Sequence, residues 1–288
     1  MDVYLHDMLR KEKLRVDFSS VDSDFRFLLG RVNFARAQKP LETHSHEECM
    51  EIVYLSRGTQ TYVIGDREYK MNGGDIFVTL PYENHSSGPY PEEKILLYYL
   101  IIDMENADGF LGYPPDEGRE LHQALMNINK RLFKSQVDSK FVLDRLLKVF
   151  FSDCRFKKIL IRNLVTEFLI NVINSEKNPG TKSKGNFDSV LEYIDDNIYD
   201  DICIEALARM SSLSVSRFKA NFKAETGIPP HEYILRRKIE KAKQLMTEGV
   251  TNITDIAYLL NFASSQHFSA TFKKFTYKTP KEYLKDIK

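Results

Sequence analysis

The stretch from Ile204 to Tyr283 contains itself twice, and this constrains the chain more than any other feature. Ile204, Leu207, Ala208, Ser212, Leu213, Phe218, Phe222, Lys223, Pro230, Glu232 and Tyr233 recur as Ile253, Ile256, Ala257, Asn261, Phe262, Phe268, Phe272, Lys273, Pro280, Glu282 and Tyr283. The offset is 49 residues up to the Leu213/Phe262 pair and 50 after it, so the second copy carries one extra residue in its turn. Repetition at one fixed period marks one supersecondary unit used twice.

Ile204, Leu207 and Ala208 stand at i, i+3 and i+4, so a short helix buries one face, with a small residue where a second helix must cross closely. Ser211-Ser212-Leu213-Ser214 is rich in turn and cap residues, and Ser214 or Ser216 is placed to cap a following helix that points Phe218 and Phe222 inward. In the second copy Asn261 replaces Ser212, and Asn tolerates the left-handed backbone of a tight turn. Each copy therefore predicts a helix-turn-helix, against the plainer alternative of two ordinary helical hairpins. Between the copies, Tyr233, Ile234, Arg237, Ile239, Ala242, Leu245 and Met246 predict one helix from His231 to about Thr247, opened by Pro229-Pro230 and closed by Gly249. Its length of roughly 26 Å compares with about 34 Å between successive major-groove faces on one side of a duplex.

These residues resemble the AraC/XylS family DNA-binding domain over about 100 residues. The second copy carries most of the resemblance: I-x-x-I-A, N-F, H-F-S, F-K-K-F and T-P-K-E-Y. Asn261 and Tyr277 stand where the family usually has Gly, Leu284 and Lys238 where Arg is usual, and Ala220 and Ala270 at recognition-helix positions that are often Arg. The resemblance implies double-stranded DNA as partner. It aligns Ser214, Ser216, Arg217, Lys219, Ala220 and Lys223 with the first reading helix, and Ser264, Ser265, Gln266, His267, Ser269, Lys273 and Lys274 with the second. Gln266 can pair bidentately with adenine and Lys219 can reach guanine, whereas Arg217 and Lys274 are placed for phosphates. Each Ser has an alternative use as a cap, and His267 as a packing group beside Phe268.

Charge supports this assignment only through its distribution. Lys plus Arg and Asp plus Glu both number 41 over the 288 residues, yet from Ala206 onward 15 basic residues face 7 acidic ones, a net of +8. The preceding segment is acidic, with Asp188, Glu192, Asp195, Asp196, Asp200 and Asp201, which suits a domain with one side on phosphates. Cys49, Cys154 and Cys203 form no CxxC and imply neither disulfides nor zinc. No run reaches 18 apolar residues and the N-terminus lacks a signal-like stretch, so a cytoplasmic protein without membrane contact is expected.

Residues 1–21 read as an arm. Short β-branched or aromatic segments follow at Phe25–Leu29, Glu51–Leu55, Thr61–Ile64, Ile76–Thr79 and Ile95–Ile102, punctuated by Gly58, Gly65-Asp66, Asn72-Gly73-Gly74, Pro81 and Pro89-Tyr90-Pro91. They predict a closed β-barrel or jelly roll. Within it His44-Ser45-His46, Glu51, Gly58, Gly74-Asp75 and His85 resemble the cupin pattern, with Pro81 shifted by one and Tyr82 where Gly is usual. In metal cupins three His and one Glu converge on an ion, and such a set suits iron, manganese, zinc or nickel. Regulators of this family keep a similar framework without metal, in which the residues brace the barrel or line a small-molecule pocket. That use is favoured for His44, His46, Glu51 and His85, with no metal and no cofactor assigned.

Three apolar stripes then predict helices: Leu121, Leu125, Ile128 and Leu132; Leu143, Leu146, Leu147 and Phe150; Ile159, Leu160, Leu164, Phe168, Leu169 and Ile173. They pack on the barrel and suit a homodimer interface. Asn178–Gly185 is polar and Gly-containing and reads as a flexible linker. The expected class is α+β. A cupin-like ligand-sensing barrel spans 1–116, a helical dimerisation segment 117–177, a linker 178–186 and an all-α double helix-turn-helix domain 187–288. The expected function is sequence-specific transcription regulation by a non-enzyme. Its partners would be DNA, a small-molecule effector, a second copy of the chain and RNA polymerase. Two alternatives stand beside it: a metal-dependent cupin enzyme tethered to DNA, and a regulator acting mainly through protein partners.

Overall fold

The computed structural model of the protein describes residues 11–179 and 187–287. Most of the expected linker and the first half of the expected arm lie outside the described residues. The chain packs as two compact units. One comprises Met1–Phe34, Pro40–Tyr90 and Ile95–Thr181, and the other comprises Lys182–Lys288 with Ala35–Lys39 and Pro91–Lys94.

The first unit is built on strands β1 (Lys13–Asp17), β2 (Phe27–Asn33), β3 (Cys49–Arg57), β4 (Thr59–Ile64), β5 (Arg67–Asn72), β6 (Asp75–Thr79), β7 (Leu96–Asp103) and β8 (Leu132–Lys134). The barrel is realised as a six-stranded antiparallel sheet, ordered β1-β2-β7-β3-β6-β8, and a two-stranded β4-β5 ribbon. Alternation along β3 sends Met50, Ile52 and Tyr54 to one core and Val53 and Leu55 to another. Strand β7 does the same, with Leu96, Tyr98, Leu100 and Ile102 against Leu97. Burial on both faces explains why these strands read as apolar runs rather than as alternating patterns. The second core lies between sheet and ribbon, where Tyr62 of β4 stacks on Phe77 of β6 at 4.7 Å.

The other face of the sheet is covered by α1 (Pro115–Met126), α2 (Lys140–Phe151) and α3 (Lys157–Lys177). Leu125, Leu143, Leu146, Leu147, Leu164, Val165, Phe168 and Leu169 complete that core. Hydroxyls seat the sheet on α2: Tyr54 donates to Asp138 just before it at 2.8 Å, and Tyr98 donates to Asp144 within it at 2.7 Å. Three elements differ from the sequence reading. Lys13–Asp17 is no free arm but pairs with β2, its Leu14 and Val16 buried by alternation. Leu132 does not extend the first helix, which ends at Met126; it opens β8 against β6. Strand β5, with sequence REYKMN, was hidden by its polarity, because it buries only Met71 fully and is fixed by pairing with β4.

Over residues 187–287 the elements of the second unit are all helices: α4 (Asp188–Asp196), α5 (Ile204–Met210), α6 (Val215–Thr226), α7 (Pro230–Thr247), α8 (Ile253–Leu259), α9 (Ser265–Thr276) and α10 (Pro280–Asp286). Two separate cores share α7. Its N-terminal half contributes Ile234 to a cluster with Phe187, Val190, Ile194, Leu207, Ala208, Phe218 and Phe222. Its C-terminal half contributes Ile239, Ala242, Leu245 and Met246 to a cluster with Ile256, Ala257, Phe268, Phe272, Phe275 and Leu284. Arg237 ties α7 to α4 through Asp195 at 2.6 Å.

The repeated turn is the same object in both copies. After α5, the N–H of Leu213 donates to the Ala208 carbonyl and that of Ser212 to Arg209; after α8, Phe262 donates to Ala257 and Asn261 to Tyr258. These paired bonds form a Schellman closure, which requires a left-handed residue. Ser212 has φ 53° and Asn261 φ 56°. The reading helices start from N-caps Ser214 and Ser264, so the extra residue of the second turn is Ala263. Both reading helices end on another left-handed residue, which is Gly227 in α6 (φ 78°) and Tyr277 in α9 (φ 59°).

A Cβ in this conformation costs about 1–2 kcal/mol. Tyr277→Gly is therefore expected to raise stability by about 0.5–1 kcal/mol after the entropy of Gly is counted, and Gly227→Ala to lower it by about 1–2 kcal/mol. Urea midpoints of the two variants against the parent check this. A loss on Tyr277→Gly would mean that the Lys278 ammonium over the Tyr277 ring, at 5.1 Å, outweighs the strain.

Candidate functional site

Two sets of residues carry chemistry. The first is the exposed face of the two reading helices. On α6, Phe218 and Phe222 are fully buried, while Ser216, Arg217, Lys219, Ala220 and Lys223 are exposed, as is Ser214 at its N-cap. On α9, Phe268 and Phe272 are buried; Gln266, His267, Lys273 and Lys274 are exposed, and Ser264, Ser265 and Ser269 are half-buried. The i, i+4 phenylalanines fix the rotation of each helix and so decide which side chains face outward.

Several of these residues also have structural duties. Ser214, rather than Ser216, caps α6 by accepting from the N–H of Arg217 at 3.4 Å. Ser264 caps α9 by accepting from the N–H of His267 at 3.1 Å. Ser265 donates to Oε1 of Gln266 at 3.4 Å, which restrains the amide of the residue best suited to read adenine. The His267 ring meets Phe262 edge-on at 5.4 Å, so its packing partner lies in the turn rather than at the neighbouring Phe268.

The second set is the barrel tetrad. His44, His46, Glu51 and His85 each offer one donor atom, and the four atoms lie within 4.8 Å of one another. Glu51 sits on β3 in register with Thr79 of β6 and Ile101 of β7. The backbones of His44 and His85 exchange two hydrogen bonds, at 3.0 and 2.9 Å. The N–H of Tyr82 donates to the His46 carbonyl at 2.9 Å, which clips the turn after β6 to the His44–His46 segment. That turn needs Tyr82 at φ 63°, as the earlier turns need Gly58 at 102° and Gly74 at 90°, so all three positions of the cupin-like pattern are left-handed.

Glu51 Oε2 lies 2.8 Å from Nε2 of His85 and 3.6 Å from Nε2 of His46. Burial alone would raise the Glu51 carboxyl, but the two imidazoles outweigh it and hold it at about 2. Burial likewise lowers His85, and the Glu51 carboxylate more than reverses this, so His85 is raised. The four side chains are legible in the sequence, whereas the groups that orient them are not. The His44 Nδ1 faces the Glu42 carbonyl at 2.9 Å, and the His85 Nδ1 faces the Glu83 carbonyl at 3.1 Å. The shared E-x-H spacing of Glu42/His44 and Glu83/His85 was legible, but its role needs the backbone path. Two surface clefts lie elsewhere, of about 190 Å³ beside Arg26 and Asp103 and about 280 Å³ between α1 and α3, and include none of the four.

Comparison with known proteins agrees with both halves. Residues 33–145 match the AraC-like ligand binding domain and residues 207–286 match a helix-turn-helix domain. Among curated proteins, the HTH-type transcriptional activator RhaS of Citrobacter koseri is 22% identical over 247 residues, covering 80% of this chain and 82% of RhaS. RhaS of Escherichia coli O139:H28 is 23% identical over 242 residues with the same coverage. Among solved structures, ToxT from Vibrio cholerae O395 aligns over 91% of this chain and 98% of ToxT at 16% identity, with a TM-score of 0.36. No helix among the described residues is long and apolar enough to cross a membrane. The chain belongs to the AraC family of transcriptional regulators, with an N-terminal ligand-binding domain and a C-terminal DNA-binding helix-turn-helix domain.

Proposed function

We propose that this regulator reads duplex DNA with α6 and α9 as paired recognition helices, acting in the cytoplasm as a non-enzymatic homodimer that responds to a small molecule and contacts RNA polymerase. The observation that carries this reading is the duplicated, capped helix-turn-helix. Both copies keep the same closure at the turn and present short polar and basic side chains outward. The shared helix α7, with 18 residues, spans about 27 Å. In this reading Gln266 and Lys219 reach base edges, with Ser216, Ser265, His267 and Ser269 beside them. Arg217, Lys223, Lys273 and Lys274 meet phosphates, and Ser214 and Ser264 hold the helix ends. Ala220 and Ala270 can offer only a methyl group to thymine, so the site leans towards A·T.

Residues 1–116 form the sensing domain, 117–177 the dimerisation segment, 178–186 the linker and 187–288 the DNA-binding domain. Dimerisation is supported by apolar groups left on the helical face: Phe141 is 68% exposed, Phe156 and Ile159 both 57%, and Ile170 47%. Ile159 and Ile170 are eleven residues apart, three turns along one face of α3. The effector is placed at the barrel, with His44, His46, Glu51 and His85 lining its polar end.

Full-length protein titrated onto a duplex library is expected to lose affinity with salt at a log–log slope of about −0.9 per phosphate neutralised. A salt-insensitive interaction, or none at low salt, would reject the reader. Gln266→Ala should cost about 1–3 kcal/mol and relax preference at one base pair. Ser264→Ala, by contrast, should cost about 1 kcal/mol of folding stability and weaken all sequences alike. An unchanged randomised-site profile for Gln266→Ala would show that α9 does not read bases. For the dimer, Ile159→Glu is expected to shift the sedimentation of the full chain towards monomer, and an unchanged profile would place the interface elsewhere.

A further inference from the structure

We propose that Arg36 and Lys39, carried on the short segment after β2, extend the DNA-facing surface at the C-terminal end of α9 and bind backbone phosphates. This rests on the reading of α9 as a recognition helix, and adds to it two contacts from outside the helix-turn-helix sequence.

Backbone bonds fix where this segment lies. By its packing Ala35–Lys39 belongs to the second unit, together with Pro91–Lys94. The two segments pair with each other in an antiparallel bridge, in which the N–H of Gln38 donates to the Glu92 carbonyl at 2.7 Å. Pro91–Lys94 is bound to α7. Lys94 forms an ion pair with Glu232 and Glu93 one with Arg236, and Arg236 also donates to the Lys94 carbonyl at 3.3 Å. Ala35–Lys39 is bound to α9 through the N–H of Ala37, which donates to the Lys274 carbonyl at 2.8 Å. That carbonyl is among the last four of α9, which have no partner within the helix. Ala37 is buried, whereas Arg36 before it and Lys39 after it are exposed.

The charge around this point is one-sided. Glu93 and Glu232 are taken up by Arg236 and Lys94, and Glu92 is likewise engaged. Glu282, whose charge Lys273 senses, turns back to the Thr279 N–H in the capping box of α10. Arg36, Lys39, Lys273 and Lys274 are exposed and form no ion pair among the described residues.

Duplex dimensions say what such a cluster meets. A recognition helix reads base edges with its N-terminal residues, which in α9 include Gln266. Lys273 and Lys274 follow seven and eight residues later on the same side, about 11 Å further along the axis. The major groove is only about 12 Å wide. A helix set across it with Gln266 at the base edges has reached the groove wall, and its phosphates, by the level of Lys274. The Ala37 bond holds Arg36 and Lys39 at that level. Arg36 brings a planar fork that matches phosphate oxygens, and Lys39 a compact point charge. Positive charge at a helix C-terminus also complements the helix dipole. That role acts on folding stability without DNA, whereas phosphate binding acts on the salt dependence of DNA affinity.

The test uses the full chain and two duplexes, one selected by the parent from a randomised library and one of unrelated sequence. Affinity is measured over a salt series, whose log–log slope changes by about 0.9 per phosphate neutralised. Arg36→Gln and Lys39→Gln alter exposed side chains. Each is expected to make the slope shallower by about 0.9, and the double variant by about 1.8, while both duplexes weaken by the same factor. The randomised-site profile and the melting temperature of the free protein should match the parent. Lys274→Gln is the positive control on α9. Lys70→Gln, exposed on β5, removes the same net charge and should leave the slope unchanged. A parental slope in the double variant, with a shallower one in Lys274→Gln, would overturn the proposal and leave the reading of α9 standing. A lower melting temperature with the parental slope would assign the two cations to the helix dipole and overturn it equally. No DNA binding by the parent at low salt would overturn the reading of α9 itself, and this inference with it.

Discussion

Helix α7 has to serve two hydrophobic cores with one rigid rod. Its N-terminal half packs Ile234 with Phe218 and Phe222, and its C-terminal half packs Ala242, Leu245 and Met246 with Phe268 and Phe272. Neither copy of the short-helix pair could bury its aromatics alone, because seven-residue helices such as α5 and α8 are far below the length at which a helix is stable in water. Their stability comes from this packing. Because both reading helices are rotated by their phenylalanines onto the same rod, the outward faces of α6 and α9 are fixed with it. Lys238, buried on α7, keeps its ammonium on the Asp200 carbonyl at 3.2 Å, and its pKa is lowered by desolvation. The rod is thereby tied to the segment before α5.

Backbone chirality is the second constraint, and it bears on three positions where the resemblances expect Gly and this chain has a larger residue. Ser212, Asn261, Tyr277 and, in the sensing domain, Tyr82 all adopt positive φ. Three of them stand where the resemblance expects Gly: Asn261, Tyr277 and Tyr82. The fold keeps the left-handed conformation and accepts the Cβ, because each turn is held by other bonds. The paired N–H donors close the turn after α8, and the Tyr82 N–H is held by His46. Such departures leave the backbone path intact and alter what the turn presents to solvent.

The tetrad obeys a related logic. Its side chains come from β3 and from two connecting segments, so their meeting is a product of sheet register. A slip of one residue in β3 would turn Glu51 from the ribbon side of the sheet towards the helices. The aromatic pair of Tyr62 and Phe77 packs in the core between sheet and ribbon, and Tyr54 and Tyr98 anchor the opposite face to α2 and the residues before it. The sensing domain therefore carries a polar cluster on one face of its sheet and, on the other, a helical layer bonded to the sheet by two tyrosine hydroxyls.

How much of this was legible follows from what kind of interaction sets each feature. The double helix-turn-helix, its inward phenylalanines and the shared helix were written in the chain, because helical periodicity and a repeat are local patterns. So were β2, β3, β4, β6 and β7 and the identities of His44, His46, Glu51 and His85, because spacing and residue type survive without coordinates. Strand β5 was not legible, since a polar hexamer becomes a strand only by pairing with β4. Nor was β8, where Leu132 continued a helical stripe in sequence but is held by β6 instead. Only the tertiary structure decided that Lys13–Asp17 joins the sheet, that Ser214 and Ser264 are caps, and that two backbone carbonyls aim imidazoles at Glu51. The first is set by pairing with a distant strand; the others are bonds over two or three residues, whose backbone conformation the surrounding fold fixes, and residue identity alone does not choose among them.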